Sequence, residues 1–201
     1  MNKVKGKIAV LIEDHFDSEE FMQFNRFFPE HGYVVEYVTH LWNQPGLTFY
    51  ANPDDGFKIR ANVTVTTEVG TVRPSDYRGI LLIGAYAMDR LRYEAKTGKG
   101  KKNQAPAVKF IRQAMRENVP VGTICHSLWL LCADPDLIRG RKVTCAHNII
   151  CDVENAGAEV VYNGDETAAT VADGNLISGK HPGVLGEFLE LYLNELNKRS
   201  A

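Results

Sequence analysis

The residues with the clearest chemical potential lie at positions 120–131, Pro-Val-Gly-Thr-Ile-Cys-His-Ser-Leu-Trp-Leu-Leu. An apolar run typical of a buried strand reaches Cys125, and an apolar run typical of a helix follows at once. Such a turn presents a nucleophile at the carboxyl end of a parallel sheet, where open α/β sheets bind ligands. The free N–H groups and the positive dipole end of the helix favour thiolate over thiol. The pattern predicts a cysteine nucleophile; the alternative is a buried small apolar residue, as most free cysteines are.

A cysteine catalyst also needs a group that moves protons and donors for a developing oxyanion. The first predicted strand is followed by an acidic segment, Glu-Asp-His-Phe-Asp-Ser-Glu-Glu at positions 13–20. A carboxylate in this segment would lie beside Cys125, because strand ends meet at one edge of a parallel sheet. The alternative is that these acids only stabilise the positive end of the next helix.

Backbone N–H groups near the cysteine are the candidate oxyanion donors. Gly84 and Ala85 follow another predicted strand, so their N–H groups are expected at the same pocket, although Gly84 is equally compatible with a plain turn. His126 is placed to contribute its backbone N–H, while its ring is expected to face an acid elsewhere. His147, His181 and the other cysteines show no spacing typical of a metal site.

Composition narrows the classes of function. The chain has 201 residues, 44% hydrophobic content and a formal net charge of −2, which argues against general binding to nucleic acids or membrane surfaces. The four cysteines contain no Cys-x-x-Cys pair, no secretory signal is visible, and no apolar run approaches the ~20 residues that span a bilayer. We therefore expect free thiols, a reducing cytoplasm and no cofactor.

Hydrophobic periodicity predicts alternating strands and helices. Short β-branched apolar runs predict strands over 7–12, 33–39, 79–83 and 119–124, with shorter strands over 142–145, 159–162, 167–172 and 176–178. Amphipathic spacing predicts helices over 16–31, 107–118 and 182–198. Proline and glycine predict a loop over 41–56, followed by a hairpin or extended pair over 57–59 and 63–67. A basic, glycine-containing stretch over 94–104 predicts a solvated surface loop.

This alternation with short connections implies an α/β fold, a mostly parallel sheet with helices on both faces, within one domain spanning 1–201.

Several motifs resemble the ThiJ/PfpI superfamily, which belongs to the class I glutamine amidotransferase-like folds. Val-Gly-Thr-Ile-Cys-His-Ser at 121–127 is similar to its elbow, Ala-x-Ile-Cys-His-Gly. Residues 82–89 correspond to its Leu-Pro-Gly-Gly-Arg-Ala-Pro-Glu, residues 137–157 to its Gly-Arg-Lys stretch and following helix, and residues 173–179 to its Asp-Gly-Asn-Leu-Ile-Thr strand. The resemblance covers residues 6–197, with local elaborations at 41–56 and 94–104.

The resemblance implies a flavodoxin-like sandwich and assigns roles to individual residues. Cys125 is implied as the nucleophile and Asp17 as the carboxylate that hydrogen-bonds it, with His126 as a further catalytic residue. Gly84, Ala85 and His126 fall at the positions of the oxyanion donors. The expected partners are a small-molecule substrate and a second copy of the chain, in a homodimer or larger homo-oligomer.

Five departures from the family pattern bear on the substrate. Aspartate at position 17 is one methylene shorter than the usual glutamate. Ser127 and Ala85 each replace a family glycine. Tyr86 and Asp89 replace arginine and glutamate, which leaves Asp89 as the closest positional candidate for an intersubunit acid facing His126.

The resemblance therefore predicts a cofactor-independent cysteine enzyme, of glyoxalase or deglycase type, that converts a 2-oxoaldehyde to a 2-hydroxy acid. Three alternatives stay open: an isonitrile hydratase-like lyase, a cysteine peptidase or amidase that uses Cys125 and His126 as a dyad, and a non-enzymatic redox-sensing stress protein. The last follows from the ready oxidation of an accessible low-pKa cysteine.

Overall fold

The computed structural model describes residues 4–53, 61–96 and 98–199. The strands are β1 Gly6–Leu11, β2 Tyr33–Val38, β3 Leu47–Tyr50, β4 Asn62–Val65, β5 Gly79–Leu82, β6 Val121–Ile124, β7 Lys142–Val143, β8 Glu159–Val160, β9 Tyr162–Asn163, β10 Glu166–Thr167, β11 Thr170–Asp173 and β12 Leu176–Gly179. The centre of the molecule is a six-stranded sheet with the strand order β11-β12-β6-β5-β1-β2. The helices are α1 Ser18–Glu30, α2 Met88–Leu91, α3 Pro106–Arg116, α4 Trp129–Cys132, α5 Ile150–Asn155 and α6 Leu185–Lys198.

The sheet confirms the predicted fold class, a mostly parallel sheet covered by helices. β2, β1, β5, β6 and β12 run parallel to their neighbours, and only the edge strand β11 is antiparallel. Four of the strands, β1, β5, β6 and β12, are almost wholly buried, which explains their near-continuous apolar sequences.

The register of the central strands brings their carboxyl ends to one edge. Leu11 pairs with Leu82, which pairs with Thr123, which in turn pairs with Ser178. The segments that leave these strands therefore lie side by side. They include the acidic turn after β1, the turn at Gly84 after β5, and Cys125 after β6.

Tyr192 of α6 fixes one helix against the sheet. Its hydroxyl donates to the carbonyl oxygens of Ile80 (3.0 Å) and Pro120 (3.2 Å). A Cβ added to Gly79 or Gly122 would clash with the Tyr192 side chain. Glycine at these two positions therefore lets α6 approach β5 and β6. The ring also meets Phe28 of α1 edge-on, which joins the two helices over the strands that carry the site.

Smaller strand pairs flank the sheet and correct part of the sequence interpretation. The predicted loop over 41–56 contains β3, which pairs antiparallel with β4; the predicted extended segment 57–59 lies outside the described residues. The predicted strand over 159–162 is divided into β8 and β9, and that over 167–172 into β10 and β11. β7 and β8 form a short parallel pair, and β9 and β10 a hairpin. Within the described residues, no helix is both long and apolar enough to cross a membrane.

Candidate active site

The backbone at Cys125 adopts the strained turn that the sequence pattern predicts. Its φ is +57°, in the left-handed region that residues other than glycine rarely adopt. Residues held in this region are often found at functional sites. Two hydrogen bonds hold this conformation: the Cys125 N–H donates to the Gly179 carbonyl (3.0 Å), and the Ala146 N–H donates to the Cys125 carbonyl (3.2 Å). The residue is 9% exposed, so the sulfur is nearly enclosed.

Ser127 forms hydrogen bonds with the backbone of Ile124, the residue before Cys125. Its buried hydroxyl oxygen accepts a hydrogen bond from the Ile124 N–H (2.7 Å), and its own N–H donates to the Ile124 carbonyl (3.0 Å). The family glycine would supply the second of these bonds but not the first. Serine at this position therefore adds a tie between the end of β6 and the start of the helical turn.

The carboxyl group closest to the elbow belongs to Glu20. Glu20 is fully buried, and its Oε2 accepts a hydrogen bond from the Gly84 N–H (2.6 Å). A Cβ added to Gly84 would lie 2.6 Å from Glu20 Oε1 and 2.9 Å from the Cβ of Cys125. Gly84 thus lies between the acid and the cysteine. The close approach of these three residues requires glycine at position 84, because any side chain there would collide with both neighbours.

Asp17, the acid that the resemblance implied as the partner of the cysteine, lies at the start of α1. It is the N-cap of α1, and its Oδ1 accepts a hydrogen bond from the Glu20 N–H (2.9 Å). Glu20, one helical turn further on, is the acid that accepts from Gly84 beside the cysteine, and the charges of Glu20 and then Asp17 both raise the pKa of Cys125. The role that the resemblance implies for Asp17 stays a prediction. The sequence signals only the cap, since an aspartate followed three residues later by a glutamate is the pattern of a helix start.

Glu13 and Asp14, two of the three other acids of this segment, contact groups other than the cysteine. Glu13 is buried and pairs with Arg90 (Nη1–Oε1 3.0 Å), and its Oε1 also accepts from the Asp14 N–H (3.1 Å). Asp14 accepts from the Tyr50 N–H (2.8 Å). Both side chains therefore connect the turn after β1 to neighbouring segments.

Two of the three predicted oxyanion donors face the sulfur. The backbone N–H groups of Ala85 and His126 lie close enough to the Cys125 sulfur to lower the pKa of its thiol. Ala85 has a φ of +54°, so the replacement of the family glycine is accommodated in the conformation that glycine favours. The Gly84 N–H, in contrast, is taken by Glu20, so Gly84 positions the acid and donates nothing to the pocket.

His126 lies against the nucleophile. Its Nδ1 is 3.2 Å from the Cys125 sulfur, and its buried Nε2 has no hydrogen-bond partner among the described residues. Burial lowers the pKa of His126, which favours the neutral imidazole. Asp89, the candidate acid for this ring, borders two surface cavities together with Arg92. Its role towards a second subunit stays a prediction.

The electrostatics of the cysteine and the glutamate are coupled. Burial, followed by the negative charge of Glu20, raises the pKa of Cys125 to about 12, against the opposing effect of the Ala85 and His126 N–H groups. Burial, followed by the charge of Asp17, raises the pKa of Glu20 well above its usual value. Two buried acids in contact cannot both ionise, so the pair retains at least one proton at neutral pH. The thiolate expected from the sequence therefore requires that the proton reside on Glu20.

The remaining cysteines lack this arrangement. All four cysteines are free. Burial raises the pKa of Cys132 to about 11 and that of Cys145 to about 12, while Cys151 is exposed on α5. Among the described residues, no group of three or more His, Cys, Asp or Glu side chains could hold a metal ion.

The chain is similar to known proteins over most of its length. The chain is 36% identical over 153 residues, 76% of its length and 78% of the relative's, to "Protein/nucleic acid deglycase 2" of Escherichia coli strain K12. It is 27% identical to an uncharacterized protein of Staphylococcus saprophyticus, over 95% of this chain and 98% of that one.

Solved structures share the fold. Drosophila melanogaster DJ-1beta superposes with a TM-score of 0.74 at 18% identity, covering 98% of this chain and 91% of that chain. A two-domain protein of Anabaena variabilis, with DJ-1/ThiJ/PfpI-like and ferritin-like domains, gives 0.78 at 24% identity; the match covers 96% of this chain and 48% of that longer one. The DJ-1/PfpI family profile matches residues 6–195, and the chain therefore belongs to the DJ-1/PfpI family.

Proposed function

We propose that the protein is a cofactor-independent cysteine enzyme that converts 2-oxoaldehydes to 2-hydroxy acids, directly or after their release from glycated thiols and amines. The observation that supports this most is that the Cys125 elbow and the buried Glu20 carboxyl lie on either side of Gly84, each close to where a Cβ of that residue would be. This proximity pairs a sulfur nucleophile with a proton carrier of raised pKa. Isomerising an oxoaldehyde needs both groups, because it requires an attack on carbon and a proton shift between neighbouring carbons.

In the first proposed step, the Cys125 thiolate attacks the aldehyde carbon of R–CO–CHO. A C–S bond forms, the π electrons move to the oxygen, and this oxygen takes the proton held by Glu20. The N–H groups of Ala85 and His126, which face the sulfur, would stabilise the oxyanion as it develops. The product of this step is a hemithioacetal beside a glutamate that is now ionised.

In the second step, the ionised Glu20 removes the proton from the former aldehyde carbon and returns a proton to the neighbouring carbon. The electrons shift through an enediol, so one carbon is oxidised and the other reduced with no external oxidant. Water then cleaves the resulting thioester to R–CHOH–COOH and restores the thiol. The balance is one oxoaldehyde plus one water to one hydroxy acid.

The direct test is lactate formation from methylglyoxal by the purified protein, followed by NMR. We expect turnover in the wild type and none in Cys125→Ser. Absence of lactate from the wild-type protein at enzyme concentrations of tens of micromolar would overturn the proposal.

A second assay separates the two forms of the activity. Methylglyoxal is pre-equilibrated with increasing N-acetylcysteine, so that free aldehyde falls as the hemithioacetal rises. A rate that follows the free aldehyde identifies a glyoxalase, and a rate that follows the adduct identifies a deglycase, the activity in the name of the Escherichia coli relative.

The close approach of His126 to the sulfur, 3.2 Å from Nδ1, supports one alternative, amide or peptide hydrolysis by a Cys–His dyad. In that reaction His126 would act as the general base and Glu20 would be dispensable. A fluorogenic peptide amide tests it. Hydrolysis that survives Glu20→Gln but not His126→Ala would favour the dyad over the oxoaldehyde reaction.

Assembly into a homodimer or larger homo-oligomer remains a prediction from the resemblance. Light scattering at micromolar concentration tests it, since the chain has a mass of 22.4 kDa. A clean monomer would contradict it and would also remove any intersubunit partner for His126.

A further inference from the structure

The ring of Tyr86 forms a half-exposed aromatic surface beside the reactive sulfur. Tyr86 is 49% exposed. Its ring stacks on the imidazole of His126, with centroids 5.7 Å apart and planes at 24°. His126 Nδ1 in turn lies 3.2 Å from the Cys125 sulfur. A single imidazole therefore separates the nucleophile from the tyrosine ring.

The main chain holds Tyr86 in this position. Its N–H donates to the His15 carbonyl (3.1 Å), and its own carbonyl accepts from the Asp89 N–H (3.1 Å). Ala85, directly before it, has the left-handed φ of +54°. These constraints fix the turn after β5, so the ring is directed onto His126 by the same backbone that presents the Ala85 N–H to the sulfur.

Trp129 is a second aromatic neighbour of the imidazole. Its ring lies 5.8 Å from that of His126, and its indole N–H donates to Asp152 (2.8 Å). Contacts with two aromatic rings restrict the freedom of His126 to turn away from the sulfur. The outer part of the Tyr86 ring is left as the open aromatic face of the group.

The position of this face determines what a bound substrate meets. The two N–H groups that face the sulfur belong to Ala85 and His126. Tyr86 follows the first of these residues and stacks on the second. When an aldehyde carbon is bonded to the sulfur and its oxygen lies at these N–H groups, the neighbouring substituent is brought towards the Tyr86–His126 pair. A planar ring there would stack on Tyr86, whereas a methyl group would cover little of it.

We propose that Tyr86 is a specificity-determining residue that selects 2-oxoaldehydes bearing an aryl or heteroaryl substituent over their alkyl counterparts. This inference rests on the proposed function, and it concerns the substituent R rather than the reacting carbons. The chemistry of Cys125 and Glu20 is the same for both classes of substrate. Only the contact between R and the tyrosine ring differs.

The kinetic test compares phenylglyoxal, which yields mandelate, with methylglyoxal, which yields lactate. We expect Tyr86→Ala to lower kcat/KM for phenylglyoxal about three- to tenfold more than for methylglyoxal, the range of one aromatic pair, mainly through KM. Tyr86→Phe should retain the preference because it keeps the ring. Tyr162→Ala is the matched control, since Tyr162 is 48% exposed and lies on β9, and it should leave the ratio unchanged.

A second measurement does not depend on turnover of oxoaldehydes. Cys125 is alkylated with 2-chloroacetophenone or with chloroacetone; in both reactions the thiolate forms a C–S bond and chloride leaves. Rates at the Cys125 peptide, normalised to those of glutathione, should favour the aryl reagent in the wild type, and Tyr86→Ala should lose this preference.

The outcomes separate the two proposals. An aryl preference in alkylation without any turnover of oxoaldehyde would overturn the proposed function while supporting the role of Tyr86. Equal ratios in wild type and Tyr86→Ala, in either assay, would overturn the role of Tyr86. So would equal losses on both substrates with a shifted pH profile, because Tyr86 would then act only by positioning His126.

Discussion

Cys125 and Cys145 are both buried thiols, and burial raises the pKa of each to about 12. The two thiols differ in the neighbouring groups that could offset the effect of burial on the pKa. Cys125 lies at the carboxyl edge of the sheet with two N–H groups facing its sulfur and the Glu20 carboxyl nearby. Cys145 follows β7, and the groups that act on its pKa besides burial, Cys132 and Glu154, both raise it further.

Burial alone therefore does not distinguish the two thiols. What distinguishes Cys125 is a neighbouring carboxyl group that, under the proposed function, holds the displaced proton. Glu20 is suited to this because burial raises its pKa and because its Oε1 has no hydrogen-bond partner among the described residues. A proton on Glu20 converts a repulsive charge into a donor, and the thiolate then keeps the stabilisation of the Ala85 and His126 N–H groups.

The largest expected effect comes from replacing Cys125, with replacement of Cys145 as the comparison. Cys125→Ser should lower turnover of the best oxoaldehyde at least ~10³-fold, as removal of a nucleophile typically does. Cys145→Ala should leave turnover within about threefold, although loss of a buried sulfur should lower stability. Steady-state kinetics, with circular dichroism to confirm folding, measures both. Comparable losses in the two variants would contradict the distinction between the cysteines.

The next effect separates the two carboxylates at the start of α1. Glu20→Gln should lower turnover by about 10²- to 10⁴-fold, the contribution of a general acid–base group, while keeping an acceptor for the Gly84 N–H. Asp17→Asn should keep most activity, because asparagine is also a good N-cap. If Asp17→Asn is the inactive variant and Glu20→Gln remains active, then Asp17 is the proton carrier that the resemblance implied.

Gly84→Ala should have the next largest effect, a loss of about 10²-fold in turnover. The added methyl would come 2.6 Å from Glu20 Oε1 and 2.9 Å from the Cys125 Cβ, so the acid and the cysteine must separate. A displacement of about 1 Å at reacting groups can cost that much. Gly186→Ala is the control, since a Cβ there meets no atom within 4 Å. Equal activities of the two variants would show that the spacing is not critical.

These residues also show how far the sequence could be interpreted. The central strands and the Cys125 elbow were predictable because buried parallel strands are continuous apolar runs. β3 was missed because Pro45 and Gly46 precede it and its sequence, Leu-Thr-Phe-Tyr, is half exposed. Its pairing with β4 is a long-range contact that local pattern does not encode.

The sequence does not single out Glu20 among the acids at the start of α1, for a similar reason. Asp17 and Glu20 both lie at a helix start, and their identities do not reveal which one faces β5. The hydrogen bond from Gly84 to Glu20 spans 64 positions in the chain. That contact depends on how α1 packs over the sheet, so only the tertiary structure resolves the choice.

Ser127→Ala should have a smaller effect on activity than Cys125→Ser, Glu20→Gln or Gly84→Ala. It removes a hydroxyl that accepts from the Ile124 N–H, and the loss of one hydrogen bond costs about 0.5–1.5 kcal/mol of stability. Ser178→Ala is the matched control, because Ser178 is also buried and accepts a backbone N–H, that of Thr144 (2.9 Å). Chemical denaturation should show similar losses for both, whereas only Ser127→Ala should change the rate of Cys125 alkylation. A change in that rate for both variants would mean that the elbow responds to general loosening of the sheet edge.

The smallest expected effect is on the pH dependence of stability, and it tests where the proton resides. The pKa of Glu20 is raised in the folded protein above the value of about 4.3 in an unfolded chain. Between these two values the folded state binds more protons than the unfolded state, so the free energy of unfolding falls as pH rises through this window. The slope from one group cannot exceed about 1.4 kcal/mol per pH unit. Urea denaturation of wild type and Glu20→Gln from pH 4 to pH 8 should show a flatter profile in the variant, because glutamine does not titrate. Parallel profiles would mean that Glu20 ionises as readily in the folded protein as in water, and the proton needed to make Cys125 a thiolate would then have to reside elsewhere.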